Sequence, residues 1–168
     1  SPSRGLGDVY KRQTPTDGFY VRSHFADTPQ INAADYRLTV DGAVETPFDL
    51  RYEEVLTFPS FELTATMECA GNSRSFVTPP AEGLQFQHGA VGTAKWRGVR
   101  VREILARATP LDKAVEVLFE GADSGEEEEE GESVELNYAR SIPITKALSP
   151  DTLLAYEMNG QPLTTQHG

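Results

Sequence analysis

One cysteine, Cys69, stands in the stretch TMECAGNSRSF (residues 66–76). It ends an apolar, β-favouring run and opens a turn of Ala70, Gly71, Asn72 and Ser73, with Arg74 just beyond. A free cysteine taken alone reads as a small buried hydrophobe. Its surroundings argue for more, because a turn exposes backbone and a nearby cation favours the thiolate form. A thiolate is a soft ligand suited to a transition metal. It is equally a nucleophile that a histidine can activate. His24, His88 and His167 all lie in loop-like stretches, and spacing alone does not separate the two chemistries. Arg22 and Arg74 add guanidinium groups, which grip oxyanions through paired, charge-assisted hydrogen bonds. Each arginine taken singly also reads as an ordinary surface charge.

These residues need a folded frame, and 168 residues suffice for about one domain with a real core. The 26 acidic and 15 basic residues give a net charge of −11. A nucleic-acid partner is thereby excluded, since phosphate binding needs a basic footprint. An acidic surface suits a basic partner such as a small electron carrier, or it serves solubility alone. No apolar run reaches the roughly 18 residues of a membrane span. One cysteine excludes an internal disulfide and an all-cysteine zinc site.

Residues 1–13, SPSRGLGDVYKRQ, lack apolar periodicity and read as a non-native leader, so domain reasoning starts at residue 14. GFYVRSHFADTPQI (18–31) is a short β-favouring run ending in a loop. Tyr36, Leu38 and Val40 alternate as a half-buried strand. DLRYEEVL (49–56) predicts a helix start capped by Asp49. FELTATMEC (61–69) is a strand delivering Cys69 to its end. Residues 77–96, rich in proline and glycine, read as a long surface loop. Val101, Ile104, Leu105 and Ala108 fall at helical spacing. AVEVLFEGAD (114–123) reads as a strand running into a turn, and the acidic block 124–133 as a solvated, flexible segment. Five adjacent glutamates lack the spaced ligands of a calcium loop. A short helix and a strand follow, and Asn159-Gly160 signals a hairpin. The sum is an α+β domain with a mixed sheet and no Gly-rich nucleotide loop.

ECAGNSRS resembles the metal-ligand motif of the sulfite oxidase family of molybdopterin enzymes. FYVRSHF (19–25) resembles the family's Arg-Asn-His segment, with Ser23 replacing the asparagine. GAVGTAKWRGVRVREIL (89–105), FEGADS (119–124), SIPITKAL (141–148) and LLAYEMNGQPLTTQHG (153–168) follow in the family's order. The resemblance implies a molybdopterin cofactor, with Cys69 bound to molybdenum and Arg22 and Arg74 lining the oxyanion pocket. Ser23, His24, Asp123 and His167 would hold the pterin by its polar edges and phosphate. It further implies oxidation of sulfite to sulfate, a cytochrome c-like electron acceptor and a homodimeric full-length form. For a bacterial relative it implies a periplasmic rather than cytoplasmic location.

The chain departs from the pattern in places. Ser73 stands where many members have a second arginine, so one positive charge is missing. Phe86 stands where animal members carry a pocket tryptophan. The acidic insert 126–130 lies outside the pattern, and the family continues past residue 168 to further pocket residues and a dimerisation domain. Residues 14–168 are therefore expected to be the N-terminal part of the cofactor-binding domain. Three alternatives stand beside sulfite oxidation: nitrate reduction within the same family, an inactive fragment that does not retain cofactor, and a binding module with a structural thiol.

Overall fold

A computed structural model describes residues 13–129 and 132–167. The expected leader lies almost wholly outside them, as do Glu130 and Gly131 within the acidic block. The elements run β1 (Arg37–Val40), β2 (Phe48–Arg51), α1 (Tyr52–Val55), β3 (Ser60–Glu68), β4 (Val91–Arg100), α2 (Val101–Ala108), β5 (Glu116–Glu129), β6 (Glu132–Pro143), α3 (Ile144–Ala147), β7 (Leu153–Met158) and β8 (Gln161–Pro162). The class is α+β as expected. The sheet is not the mixed one expected, because every strand pairing among the described residues is antiparallel.

A four-stranded sheet, ordered β3-β4-β7-β8, is the frame of the molecule, and β1–β2 and β5–β6 form two separate ribbons. The β1 alternation is as read: Tyr36, Leu38 and Val40 pack against a core of Leu50, Val55, Val99 and Ile104. That core fills the space between the β1–β2 ribbon, the sheet and α2. The α2 face is also as read, with Val101, Ile104, Leu105 and Ala108 all buried. Burying each such branched side chain contributes about 1.5–3 kcal/mol. A second core joins Phe19, Ala94 and Met158 beneath Tyr20, Trp96 and Leu163. A third joins Val101, Leu105 and Ala147 to Val117 and Ile142 at the base of β5–β6.

Several expectations need correction. The stretch 77–96 is not all loop, because β4 begins at Val91 and pairs with β3 from Glu68↔Val91 onward. Its local glycine content disguised a strand that long-range pairing stabilises. The acidic block is not a free segment either, since β5 runs through Glu129 and its ladder pairs Glu126↔Glu135 and Glu127↔Val134. For the same reason, the strand starting near residue 116 does not end in a turn at 123. It passes through a bulge between Glu120 and Ser124 and continues. Residues 18–31 form no strand. Asp49 does not cap α1; its carboxylate accepts a hydrogen bond from Thr39 Oγ1 at 2.7 Å. Arg51 takes the cap position instead, and the Glu54 carboxylate accepts from the Arg51 backbone N–H at 2.9 Å. That bond, with the Arg51 guanidinium, lowers the Glu54 carboxyl below its ordinary range. The Asn-Gly turn is as read: Asn159 (φ 55°) and Gly160 (φ 79°) both take positive φ between β7 and β8.

Candidate functional site

The central sheet ends in the Cys69 turn. Ladder pairing of β3 with β4 carries one step past Glu68, with the Cys69 N–H donating to the Ala90 carbonyl at 2.9 Å. The chain then folds back, and the Asn72 N–H donates to the Cys69 carbonyl at 2.8 Å. Within this turn the Gly71 N–H points at Cys69 Sγ, 3.4 Å away. Asn72 braces both sides: its amide donates to Glu68 Oε1 at 2.8 Å and its Oδ1 accepts from the Ala90 N–H at 3.1 Å. The thiol is half-buried and unpaired with any other cysteine.

Glycines bring Arg74 to this turn. A Cβ on Gly71 would meet the Phe86 ring at 3.3 Å and Arg74 Cζ at 3.4 Å, so the guanidinium and the ring lie directly against Gly71. Gly83, at φ +100°, leaves room for the same guanidinium, and Arg74 Nη1 donates to the Leu84 carbonyl at 3.3 Å. The arginine is thus pinned beside the thiol turn, with N–H groups left over for an anion. Phe86 offers ring surface there and no donor.

Tyr20 stacks on Phe19 in the segment that precedes Arg22. Its phenol is raised above the ordinary tyrosine range by burial first, and then by the charges that Cys69 and Glu68 can carry. Phe19 sets this segment in place: its ring fills the space above Gly92, where a Cβ would come within 2.6 Å of Cε2. His167 closes the same edge. Its Nδ1 is 2.8 Å from Thr164 Oγ1, its Nε2 is 3.3 Å from the Tyr20 carbonyl, and its ring meets Phe19 edge-on at 5.8 Å.

The remaining predicted residues continue along residues 22–25 toward the β5–β6 ribbon. Arg22 is exposed and Ser23 half-buried, and neither side chain has a hydrogen-bond partner among the described residues. His24 is paired with Glu127, and its ring lies 4.7 Å from Phe25 and 5.0 Å from Tyr138. Phe25 covers Gly125, where any Cβ would strike its ring. Asp123 sits half-buried in the β5 bulge. Arg74 therefore lies at the Cys69 turn and His167 at the Tyr20 backbone carbonyl, while His24 is placed against the ribbon that carries Asp123. Tyr20 is the site residue that sequence reasoning missed. The available signal was its place two residues before Arg22 in an extended run.

Among the described residues no cluster of three His, Cys, Asp or Glu side chains could hold a metal ion. No helix among them is long and apolar enough to cross a membrane. The protein offers a metal one thiolate, with a backbone N–H at the sulfur and a guanidinium alongside. That donor set fits a metal that arrives with its own organic ligand.

The site thus offers one thiol at a strand end with a pinned arginine beside it, and the comparison with known proteins gives the class, an oxidoreductase domain that binds molybdopterin. The chain belongs to the oxidoreductase molybdopterin binding domain family, whose profile matches residues 24–168. It is 39% identical to the mitochondrial sulfite oxidase of Homo sapiens over 92% of this chain and 28% of that one. It is 40% identical to the sulfite oxidase of Gallus gallus, over 92% of this chain and 34% of that one. It is 35% identical to the nitrate reductase [NAD(P)H] of Hordeum vulgare, over 92% of this chain and 18% of that one. Among solved structures, the sulfane dehydrogenase SoxCD from Paracoccus pantotrophus superposes with a TM-score of 0.76 at 29% identity, over 94% of this chain and 37% of that one. The chain spans about a third or less of the length of these sulfite oxidases.

Proposed function

We propose that this protein oxidises sulfite to sulfate with a molybdenum cofactor ligated by Cys69. The observation that carries the reading is the Cys69 turn, where a half-buried thiol meets the Gly71 N–H and the Arg74 guanidinium lies against the same glycine. Cys69 ligates the metal, and the Gly71 N–H steadies charge on its sulfur. When bound, the cofactor supplies the oxygen-atom transfer and the electron storage, leaving binding, orientation and electrostatics to the protein. Arg74, held by the Leu84 carbonyl, and Arg22, on the neighbouring segment, receive the dianion. Ser23, His24, Asp123 and His167 hold the polar edges and phosphate of the pterin. The Tyr20 hydroxyl, protonated at neutral pH like any tyrosine, is a further donor on the neighbouring segment. In the net reaction sulfite gains one oxygen from water, and two protons and two electrons leave. The electrons pass to a cytochrome-type acceptor, for which the acidic surface is suited.

The sulfite oxidase relatives support this substrate, and the barley nitrate reductase supports a second reading in which the same site reduces nitrate. Steady-state turnover of the full-length gene product with sulfite and a cytochrome or dye acceptor, beside nitrate with a reduced dye, decides between them. Sulfite turnover is expected. Its absence overturns the reading, and nitrate turnover in its place establishes the second. Cys69→Ser is expected to lower sulfite turnover at least about 100-fold and to lower bound molybdenum in parallel. Full metal retention in that variant would reduce Cys69 to a structural thiol. A homodimeric full-length form and a periplasmic location belong to the same proposal, and are tested by sedimentation and by cell fractionation.

A further inference from the structure

Ser73 and His88 have no part in the assignment above, yet they make a built contact beside the thiol turn. We infer that His88 is a specificity-determining residue, a second cationic arm for the oxyanion held at the rim of the Cys69 turn by Ser73 and Phe76. This rests on the oxyanion-oxidising reading of the same site.

Ser73 occupies the place where the second arginine of the motif is missing. Its φ of 65° is left-handed, a conformation a non-glycine residue adopts only when its surroundings impose it. The hydroxyl so placed lies 3.1 Å from His88 Nδ1. The imidazole also stacks on Phe76, with centroids 4.8 Å apart and planes 28° from parallel. The segment carrying His88 is zipped to the turn on both sides. The Ser73 N–H donates to the Gln87 carbonyl at 2.6 Å and the Ser75 N–H to the Phe86 carbonyl at 3.2 Å. Beyond His88, the Ala90 N–H donates to Asn72 Oδ1 at 3.1 Å and the Ala90 carbonyl accepts from Cys69. The ring is exposed but not free to wander.

A serine hydroxyl both donates and accepts, so it holds the imidazole in either protonation state. In the cationic state Nδ1–H donates to Ser73 Oγ, and Nε2–H, which has no partner among the described residues, remains for an anion. The charged groups on the packed segments are Glu68, Arg74 and Glu82. Glu68 is bonded to Asn72 and Arg74 to Leu84, and no carboxylate is paired with His88 among the described residues. Its positive charge is therefore not cancelled locally. A guanidinium stays charged at every working pH, whereas an imidazole changes charge between about pH 5 and 8. An oxyanion met by the Arg74 guanidinium and this imidazole together is therefore captured in a pH-dependent way.

The test measures KM and kcat for sulfite from about pH 6 to about pH 8 in the full-length holoenzyme and in His88→Gln, which keeps a bond to Ser73 without a charge. The ratio of the two KM values at each pH cancels the substrate's own protonation. The ratio is expected to be about tenfold at the acid end and within about twofold at the alkaline end, with kcat nearly unchanged. Ser73→Ala should show the same trend at smaller amplitude. In metal-free protein, sulfate should raise the midpoint of the His88 ring-proton NMR titration. A flat KM ratio with sulfite turnover intact overturns the inference and leaves the proposed function standing. Absence of all sulfite turnover overturns the proposed function. The NMR titration then decides alone: a sulfate-induced rise supports the anion arm, and an unmoved midpoint overturns it.

Discussion

The central sheet and the β5–β6 ribbon are built on opposite principles. In the sheet, Ala94, Val99 and Met158 are fully buried, and the Cys69 turn hangs from the end of the β3–β4 ladder. In the ribbon no described residue is fully buried, and Leu118 is 62% exposed. Its two long strands are held mainly by their own backbone ladder, with Phe25 over Gly125 and the His24–Glu127 pair as anchors. A ladder that relies on main-chain groups tolerates almost any side chain facing water, including a run of glutamates. A sheet that relies on packed side chains does not. The Cys69 thiol is set at the end of β3, whose own side chains are at most half-buried but which is laddered to the packed strand β4. The hydrogen bonds of Asn72 and Ala90 fix its turn on several sides.

The sharpest way to break this comparison is a matched pair of truncations. Met158→Ala should destabilise the protein by about 2–5 kcal/mol, because it empties a fully enclosed position. Leu118→Ala should change stability by no more than about 0.5 kcal/mol. Equilibrium urea unfolding of both variants checks the contrast, and equal losses would end it. A smaller effect is expected from Glu127→Gln, which removes the carboxylate that His24 meets. Both partners are partly exposed, so the loss should be under about 1 kcal/mol and should shrink with added salt. A larger loss that persists in high salt would show the ribbon to be locked by side chains after all.

The smallest expected effect is at alkaline pH. Burial raises the phenols of Tyr36 and Tyr20 above the ordinary range, with Tyr52 adding to the first and Cys69 and Glu68 to the second. Both belong to the packed side of the comparison. The native state holds these protons more tightly than the unfolded chain, whose tyrosines titrate near about pH 10. Their contribution is complete below that value and is lost as pH rises through the native ones. Urea midpoints measured on either side of about pH 10 should fall, and the fall should lessen in Tyr36→Phe and Tyr20→Phe. A fall unchanged in both variants would assign the alkaline loss elsewhere.

Local signals were legible wherever the deciding interaction was itself local. The 3.6-residue spacing of Val101, Ile104, Leu105 and Ala108 gave the buried face of α2, and Asn159-Gly160 gave a turn that needs two positive φ angles. The end of β3 at Glu68 put Cys69 where the run TMEC indicated. Asp49 misled because a capping preference competed with a cross-strand partner: Thr39 lies opposite it in the β1–β2 register. Val91 to Trp96 misled because glycine-rich neighbours look like loop until a partner strand is supplied. The glutamate run misled because charge argues against burial, and this ribbon asks for none.

The sequence by itself determined the chemistry on offer: one thiolate at a strand end, an arginine close behind it, and an ordered set of motifs resembling one enzyme family. Those are matters of residue type and short spacing, and short spacing survives in the primary structure. Only the tertiary structure decided the company these groups keep. It laid Arg74 on Gly71, brought His167 to Tyr20 across 147 positions, paired His24 with Glu127 across 103, and closed Ser73 onto His88. The long-range ones depend on strand register and on space left by glycines elsewhere in the chain, Gly92 under Phe19 and Gly125 under Phe25, which no local pattern encodes.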